Sequence, residues 1–463
     1  MLLSLLALLA IAPFAPLRAG PSTSRPVILS EAGRRPAQSR EHHLTGESRP
    51  LASLRQAQGR LLRVTAPAPP VVVKAARLLD VRSGRITANA LVVVQDGKII
   101  QVGGAAPAGA EVIDLGDVTL MPGLIDAHTH LTFEIAAGFE MSPVQETLAD
   151  EALRGVVFAK RTLLAGFTTV RNLGSGGFSD VSLMRAIARG DIEGPRIIPA
   201  GHAIGITGGH CDVTGFAPGI LTMGPLQGVA NGVDQMTQAV REQAKYGAKV
   251  IKVCATAGVL SFDATVGAQQ MSDAELRAVV EEAARHGLKV AAHAHGAAGI
   301  KAAVRAGVAS IEHGSILDDE AIALMKERGT WLVPTRALAG ILDRNVLPPP
   351  IRAKMDEVMP LADASFKKAV AAGVKIALGT DAAVMPHGMN GKEFAAMVAA
   401  GMSPIDAIRA GTINGAELLG TPDRGEIAVG KLADLVAVAG NPLTDVKVME
   451  RVSFVMIGGR RVK

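Results

Sequence analysis

Two histidines one residue apart end an apolar run of the sequence, and their spacing suits a metal site. In LMPGLIDAHTHLTFE, residues 120–134, Asp126 is followed by His128 and His130. Side chains two positions apart point to the same side of a strand, so both imidazoles face one space. On a strand inside a barrel, this arrangement places two neutral nitrogen ligands side by side.

Four later segments carry similar side chains within or at the end of short apolar runs. They are AKVIKVCATAG with Lys252, VAAHAHG with His293 and His295, SIEHG with His313, and ALGTD with Asp381. Each has an ordinary structural explanation, since a buried lysine can pair with an acid and an aspartate can cap a helix. Five segments that all deliver metal-binding types favour one metal centre.

The middle of the chain alternates strand and helix patterns. Eight apolar runs are candidate strands: 123–130, 167–173, 196–203, 248–255, 288–295, 308–313, 331–335 and 375–380. Helical stretches separate most of them, such as SDAELRAVVEEAARHG with Ser272 as N-cap and Gly287 as the stop. Eight such units predict a TIM-type (β/α)8 barrel, in which the chemistry lies at the carboxyl ends of the strands.

Both ends of the remaining chain are rich in β pattern. Short β runs separated by Ser-Gly and Asp-Gly turns follow residue 67, and a similar texture returns after residue 425. This predicts a small β-sandwich built from residues 67–118 and 425–463, with the barrel at 119–424 between them.

The first 66 residues have a different composition. Residues 1–20 are apolar but broken by Pro13 and Pro16, too short for a stable membrane span, and we expect a signal peptide cleaved after Ala19. Residues 21–66 read as a disordered leader. A start assigned too far upstream of a cytoplasmic enzyme would give a similar pattern, so a cytoplasmic location is the alternative to export.

Composition and charge exclude some functions. Aromatic residues make up 3% and hydrophobic residues 48% of the 463 residues, which favours an α/β protein over an all-β one. The net charge is +5, yet the first 63 residues hold nine Arg against three Glu, which leaves the rest at about −1 and without a basic face for nucleic acid. Cys211 and Cys254 cannot build a disulfide framework, and Cys254 is expected to be a small buried apolar residue.

From about Val71 to the C-terminus the chain resembles the amidohydrolase superfamily. PGLIDAHTH, the lysine of the fourth strand, the histidines of the fifth and sixth, and GTD on the eighth carry the resemblance. TTVRNLG, GHAIGITGGHCD and IKVCATAGVLS resemble its branch of metal-dependent dipeptidases and carboxypeptidases, which includes prolidase-like and ochratoxin-hydrolysing enzymes. Asn172, where this branch often has Asp, is one departure.

The resemblance implies a site with two divalent cations, with zinc preferred for this donor set. One cation would be held by His128, His130, Asp381 and a carbamate formed on Lys252, and the other by the same carbamate, His293 and His313. A hydroxide shared by the cations would be the nucleophile, and Asp381 would pass its proton to the leaving amine. His295 is assigned to the substrate carbonyl or carboxylate, with a hydrogen bond at a helix start as the alternative.

Substrate contacts are predicted outside these ligands. The glycine-rich run 201–232 is too long for an ordinary connection and is expected to cover the rim. It carries His202 and His210, and Arg171 and Arg336 near two strand ends are further candidates for binding a carboxylate. His210 has a loop-stabilising role as its alternative, and Arg171 a structural pair with an acid.

These residues predict an amide hydrolase that releases a C-terminal amino acid from dipeptides or N-acyl amino acids, ochratoxin A included. A mononuclear cyclic-amide hydrolase or deaminase of the imidazolonepropionase type is one alternative, and a non-catalytic scaffold is the other. We expect a small-molecule substrate and a homo-oligomer, with no nucleic-acid partner.

Overall fold

The computed structural model describes residues 69–263 and 265–463. The signal peptide and leader predicted for residues 1–66 lie outside the described residues. Within those two ranges, no helix combines the length and apolar character that a membrane crossing requires.

Fifteen strands form three sheets in the described part of the chain. The strands are β1 (Val71–Asp80), β2 (Arg85–Gln95), β3 (Lys98–Val102), β4 (Glu111–Asp114), β5 (Val118–Pro122), β6 (Leu124–Thr129), β7 (Phe167–Asn172), β8 (Arg196–Pro199), β9 (Ile251–Cys254), β10 (Val290–Ala294), β11 (Ser310–His313), β12 (Trp331–Val333), β13 (Leu435–Ala439), β14 (Phe454–Ile457) and β15 (Arg460–Arg461).

The strands of the two end segments belong to one mixed sheet. Its order is β15-β14-β13-β5-β1-β2-β3, and β4 pairs with β1. Asp96 and Gly97 join β2 to β3 with positive φ angles of 48° and 77°, the conformation of a two-residue hairpin turn. The sequence predicted a small β-sandwich built from both segments, and the structure pairs strands of both segments in one sheet.

Seven strands of the central segment form two parallel sheets, β6-β7-β8 and β12-β11-β10-β9. The eighth predicted strand, 375–380, is wrong as a regular strand, because only a single bridge joins Ile376 to Leu332. The backbone turns after it, where the N–H groups of Thr380 and Asp381 both donate to the His128 carbonyl. Strand pairing among the described residues therefore defines two α/β sheets and no closed barrel.

Helices connect these parallel strands in the expected alternation as far as β12, and five further α-helices lie between β12 and β13. They are α1 (Ser142–Gln145), α2 (Leu148–Leu164), α3 (Ser179–Arg189), α4 (Gly232–Tyr246), α5 (Asp273–Arg285), α6 (Ala297–Ala306), α7 (Asp319–Arg328), α8 (Leu338–Ile341), α9 (Pro349–Ala372), α10 (Lys392–Ala399), α11 (Pro404–Ala410) and α12 (Ile413–Leu419). Ser272 is the N-cap of α5, as predicted, and forms a capping box with Glu275.

Candidate metal centre

The parallel strands end at one edge, and the metal-binding side chains predicted from the sequence meet there. His128 lies in β6, Lys252 in β9, His293 in β10, and His313 is the last residue of β11. All residues of β6, β9 and β10 are buried. Since buried strands fix side-chain direction through their two-residue period, the sequence spacing sets the geometry of this edge.

His128, His130 and Asp381 form the first group of possible ligands, with donor atoms that lie within 4.8 Å of one another. Nε2 of each imidazole is 3.4 Å from the same carboxylate oxygen of Asp381. Burial raises the pKa of the Asp381 carboxyl to about 7, although Lys252 acts in the opposite direction. Two imidazole nitrogens and one carboxylate oxygen thus lie close enough together to bind one cation.

His293, His295 and His313 form the second group, also within 4.8 Å. Nδ1 of His295 is 2.7 Å from Ser315 Oγ, and Nδ1 of His313 is 2.8 Å from Thr335 Oγ1. Nε2 of His293 is buried without a hydrogen-bond partner among the described residues. A buried polar atom of this kind is costly unless another group satisfies it, and a bound cation would do so.

Lys252 lies beside both groups. Its side chain is buried, and Nζ is 3.5 Å from Nε2 of His128. Burial lowers the pKa of the Lys252 amine to about 8, although Glu312 and Asp381 favour its charged form. This lysine therefore becomes neutral more readily than an exposed one, which reaction with carbon dioxide requires.

Glu312 and Arg171 orient His128 through its Nδ1 atom. Nδ1 of His128 is 2.9 Å from one Glu312 oxygen, and the Arg171 guanidinium donates to the other at 2.8 Å. Arg171 also donates to the Ala127 carbonyl and to Ser310 Oγ. Because its guanidinium is buried in these contacts, the structure favours the structural alternative for Arg171 over carboxylate binding.

Asp126 links β6 to the segment that carries Asp381. One of its oxygens accepts N–H bonds from His128 and Thr380, and the other accepts from Thr380 Oγ1 and Asn390 Nδ2. Burial raises the pKa of Asp126 to about 6, against the effect of these bonds. The acid that precedes the two histidines thus has a structural role in aligning both sides of the first group.

His210 reaches the edge from the long loop, whereas His202 lies further out. The His210 ring stacks on His293 with centroids 4.1 Å apart, and its Nδ1 is 2.7 Å from Ser261 Oγ. His202 accepts the Gly177 N–H at Nε2, and its Nδ1 is 3.2 Å from Gln243 Oε1. The structure therefore brings His210, and not His202, against the metal-binding histidines.

Cys211 and Cys254 form a disulfide with a Cα–Cα distance of 5.7 Å. The expectation that Cys254 is only a small apolar residue is wrong. The two cysteines are 43 residues apart, and a fold that returns residue 211 to the end of β9 brings them together. Two cysteines at that separation carry no sequence signal of a pair.

Two cavities open at this edge. A cavity of about 70 Å³ has His293, His295, His313 and Asp381 on one side and aliphatic residues on the other: Val259, Leu260, Leu338, Leu342, Met355, Val358, Met359, Ala362 and Val384. Arg336 also lines it, paired with Asp363 and with Nε buried and unpartnered among the described residues. A larger cleft of about 950 Å³ is also lined by His210 and includes His130 and His202.

Several positioning residues were missed from the sequence. Glu312 stood inside the quoted SIEHG, and a charge within an apolar strand was a signal for it. Ser315, Thr335 and Asn390 carry no such signal, because small polar residues are common in loops. Asn172, noted as a departure, accepts the Leu131 N–H at 2.6 Å.

Comparison with known proteins gives one consistent result. The model of the Amidohydrolase family matches residues 119–462. The chain is 35% identical over 427 residues to ochratoxinase from Aspergillus niger, with 85% of this chain and 87% of that protein covered.

Solved structures point the same way. A Xaa-Pro dipeptidase with methionine bound in its active site is 39% identical, with a TM-score of 0.82 over 85% of this chain and 100% of the other. A prolidase complexed with N-methylphosphonate-L-proline is 33% identical, with a TM-score of 0.78 over 85% of this chain and 99% of the other.

Proposed function

This chain belongs to the amidohydrolase family, and from that premise we propose that it releases a C-terminal amino acid from dipeptides or N-acyl amino acids. It is a hydrolytic enzyme that acts on C–N bonds, and the family resemblance inferred from the sequence is confirmed. One observation carries the finer proposal: two groups of three possible ligands lie at one strand edge beside the buried amine of Lys252.

Two divalent cations, zinc by preference, would be held here. His128, His130 and Asp381 would hold one and His293 and His313 the other, and Lys252, as a carbamate, would contribute a further ligand. Bound at this edge, the cations would polarise the scissile carbonyl and activate a water molecule for attack. His295 lies within ligand distance of its group, yet we assign it to the substrate because two histidines and the carbamate complete the second site.

Asp381 would move the proton. Its carboxylate would accept a proton from the attacking water and donate it to the amide nitrogen as the C–N bond breaks, which yields a carboxylic acid and an amine. Its place beside Nε2 of both His128 and His130 supports this role, because a carboxylate at that point can reach both the attacking water and the leaving nitrogen. Asp126 would keep the backbone next to Asp381 in place, because it accepts the N–H of Thr380.

The two parallel sheets would be parts of one (β/α)8 barrel. Lys249 N–H donates to the Pro199 carbonyl at 2.7 Å and so links the chain entering β9 to β8. Leu332 N–H donates to Lys375, and Ala127 N–H to Leu378, so that residues 375–378 link β12 to β6. These bonds support a ring whose eighth member is irregular.

The aliphatic cavity supports an apolar side chain on the leaving amino acid. Nine aliphatic residues line it next to His293, His313 and Asp381, and burying a side chain of the size of methionine or leucine there would contribute about 2 kcal/mol to binding. The methionine bound in the similar dipeptidase and the ochratoxin substrate named for the similar hydrolase agree with this.

The test offers metal-loaded protein dipeptides, N-acyl amino acids and ochratoxin A, and measures amino acid release. We expect release that Asp381→Asn abolishes, with two metals per chain. No release from any substrate would refute the proposal. A single tightly held metal that Lys252→Ala leaves unchanged would instead support the mononuclear alternative.

The disulfide supports export, since structural disulfides persist in oxidising compartments. N-terminal sequencing of protein recovered outside the cytoplasm would test this, with an N-terminus near Gly20 as the expected result.

A further inference from the structure

The disulfide between Cys211 and Cys254 joins the long loop to the metal-binding edge. Cys254 is the last residue of β9 and lies opposite His293 in the register of β9 and β10. Cys211 directly follows His210. The covalent link therefore connects the residue after a candidate substrate contact to a strand that carries Lys252, and the proposed chemistry leaves it unused.

His210 lies where the two cavities meet. Its ring lines both the aliphatic cavity and the open cleft, and it stacks on His293. Ser261 Oγ is in contact with Nδ1, whereas Nε2 has no hydrogen-bond partner among the described residues. If the serine hydroxyl donates to Nδ1, the neutral ring carries its proton on Nε2 and can donate it to a ligand.

Apart from the disulfide, turns and single hydrogen bonds hold the chain around His210. Between the bridge of Gly205 to Val229 and the 3-10 helix Pro225–Gln227, the described loop contains no helix or strand. The His210 N–H donates to Gln270 Oε1 at 2.9 Å, and the Gly208 N–H donates to Asp212. Such single hydrogen bonds exchange readily with water. The disulfide, in contrast, holds the two Cα atoms 5.7 Å apart.

We infer that the Cys211–Cys254 disulfide is a positioning element that holds the His210 imidazole between the two cavities, where its Nε2–H binds an oxygen of the amide substrate. This inference rests on the proposed function. A dithiol reductant would release the ring: it transfers two electrons and two protons to the cystine, which gives two cysteine thiols and an oxidised cyclic disulfide.

The expected effect is on substrate binding. An oxygen contact that is equally strong in the ground state and the transition state changes KM and leaves kcat almost unchanged. We expect reduction with dithiothreitol to raise KM about tenfold, the upper size of one lost hydrogen bond, and reoxidation to restore it. Metal content stays constant, because the metal-binding histidines keep their places on the strands.

The experiment compares four proteins before and after dithiothreitol: wild type, Cys211→Ser/Cys254→Ser, His210→Ala and His202→Ala. Alkylation and mass spectrometry count the thiols. The double variant and His210→Ala should have the raised KM and no response to reduction. His202→Ala, changed in the same loop, should still respond. The double variant also controls for metal chelation by the dithiol.

An unchanged KM in fully reduced, active wild type would overturn the inference, as would a loss of activity that follows metal release. An equal response of the double variant to dithiothreitol would also overturn it. If the double variant does not fold, the KM of the wild type after reduction and after reoxidation tests the inference by itself. Oxidised wild type that hydrolyses no amide would refute the proposed function itself, a result distinct from an active enzyme that ignores reduction.

Discussion

The two sides of the site are built differently. The metal-binding side consists of strand ends, where His128, Lys252 and His293 are buried and fixed by the ladder. The substrate side consists of loops and α9, held together by the disulfide and by Lys354, whose ammonium donates to the carbonyls of Gly258 and Ser261. We therefore expect changes to the strand side to remove catalysis and changes to the loop side to alter substrate preference.

Replacing Lys252 with alanine should have the largest effect. Without its amine no carbamate can form, so we expect kcat/KM to fall about a thousandfold and bound metal to fall below two per chain. Lys249→Ala is the matched control, since this exposed lysine enters the same strand three residues earlier. Kinetics and metal analysis on both variants check this, and an active Lys252→Ala enzyme with two metals would show that the strand side does not depend on this amine.

Glu312→Gln should weaken metal binding without touching a ligand. His128 would lose the carboxylate that holds its Nδ1, and a lost partner of this kind costs about 10- to 100-fold in metal affinity. Arg171 would also be left with a buried unpaired charge, so we expect the free energy of unfolding to fall by about 3 kcal/mol.

Metal titration and thermal unfolding measure both effects of Glu312→Gln. The exposed Glu327→Gln serves as the control, because its partner Arg328 is also exposed. Equal metal affinity in Glu312→Gln and Glu327→Gln would mean that the backbone hydrogen bonds of β6 alone position His128.

The same contrast explains what the sequence could predict. The structure brings His128, Lys252, His293 and His313 to one edge, as the sequence predicted, because a strand's two-residue period turns spacing into direction. The eighth strand was wrong as a regular element, because the turn at Thr380 and Asp381 depends on contacts with Asp126 far away in the sequence. The sequence pattern near residue 380 gives no information about contacts with a residue so far away in the chain.

The substrate side was predicted less well for a related reason. The loop 201–232 was recognised from its length and glycines, but the Cys211–Cys254 pair depends on how that loop returns to β9. Arg171, an apparent carboxylate ligand by type, is instead paired with Glu312. Residue type indicates what a side chain can bind, while the fold decides which partner it meets.

Met359→Ser should change substrate preference by a moderate amount. Met359 lines the aliphatic cavity, whereas Leu361, two residues along α9, is 43% exposed. We expect kcat/KM for a leaving phenylalanine or leucine to fall about tenfold, with little change for glycine, because only the large side chains would use the lost apolar surface. Leu361→Ser should leave kcat/KM unchanged for the large and the small leaving amino acids. An equal loss for glycine would place the side chain elsewhere.

Gly258→Ala should have the smallest effect and tests the loop side most directly. A Cβ at Gly258 would lie 2.3 Å from two atoms of the His210 ring, so the ring must shift from the position in which its Nδ1 contacts Ser261 Oγ. We expect KM to rise about threefold, part of the energy of one hydrogen bond, with kcat and metal content unchanged. At Gly340 an added Cβ meets nothing within 4 Å, and Gly340→Ala is the control. A fall in kcat or in bound metal for Gly258→Ala would mean that movement of His210 reaches His293, so that the two sides of the site are mechanically coupled and not separable.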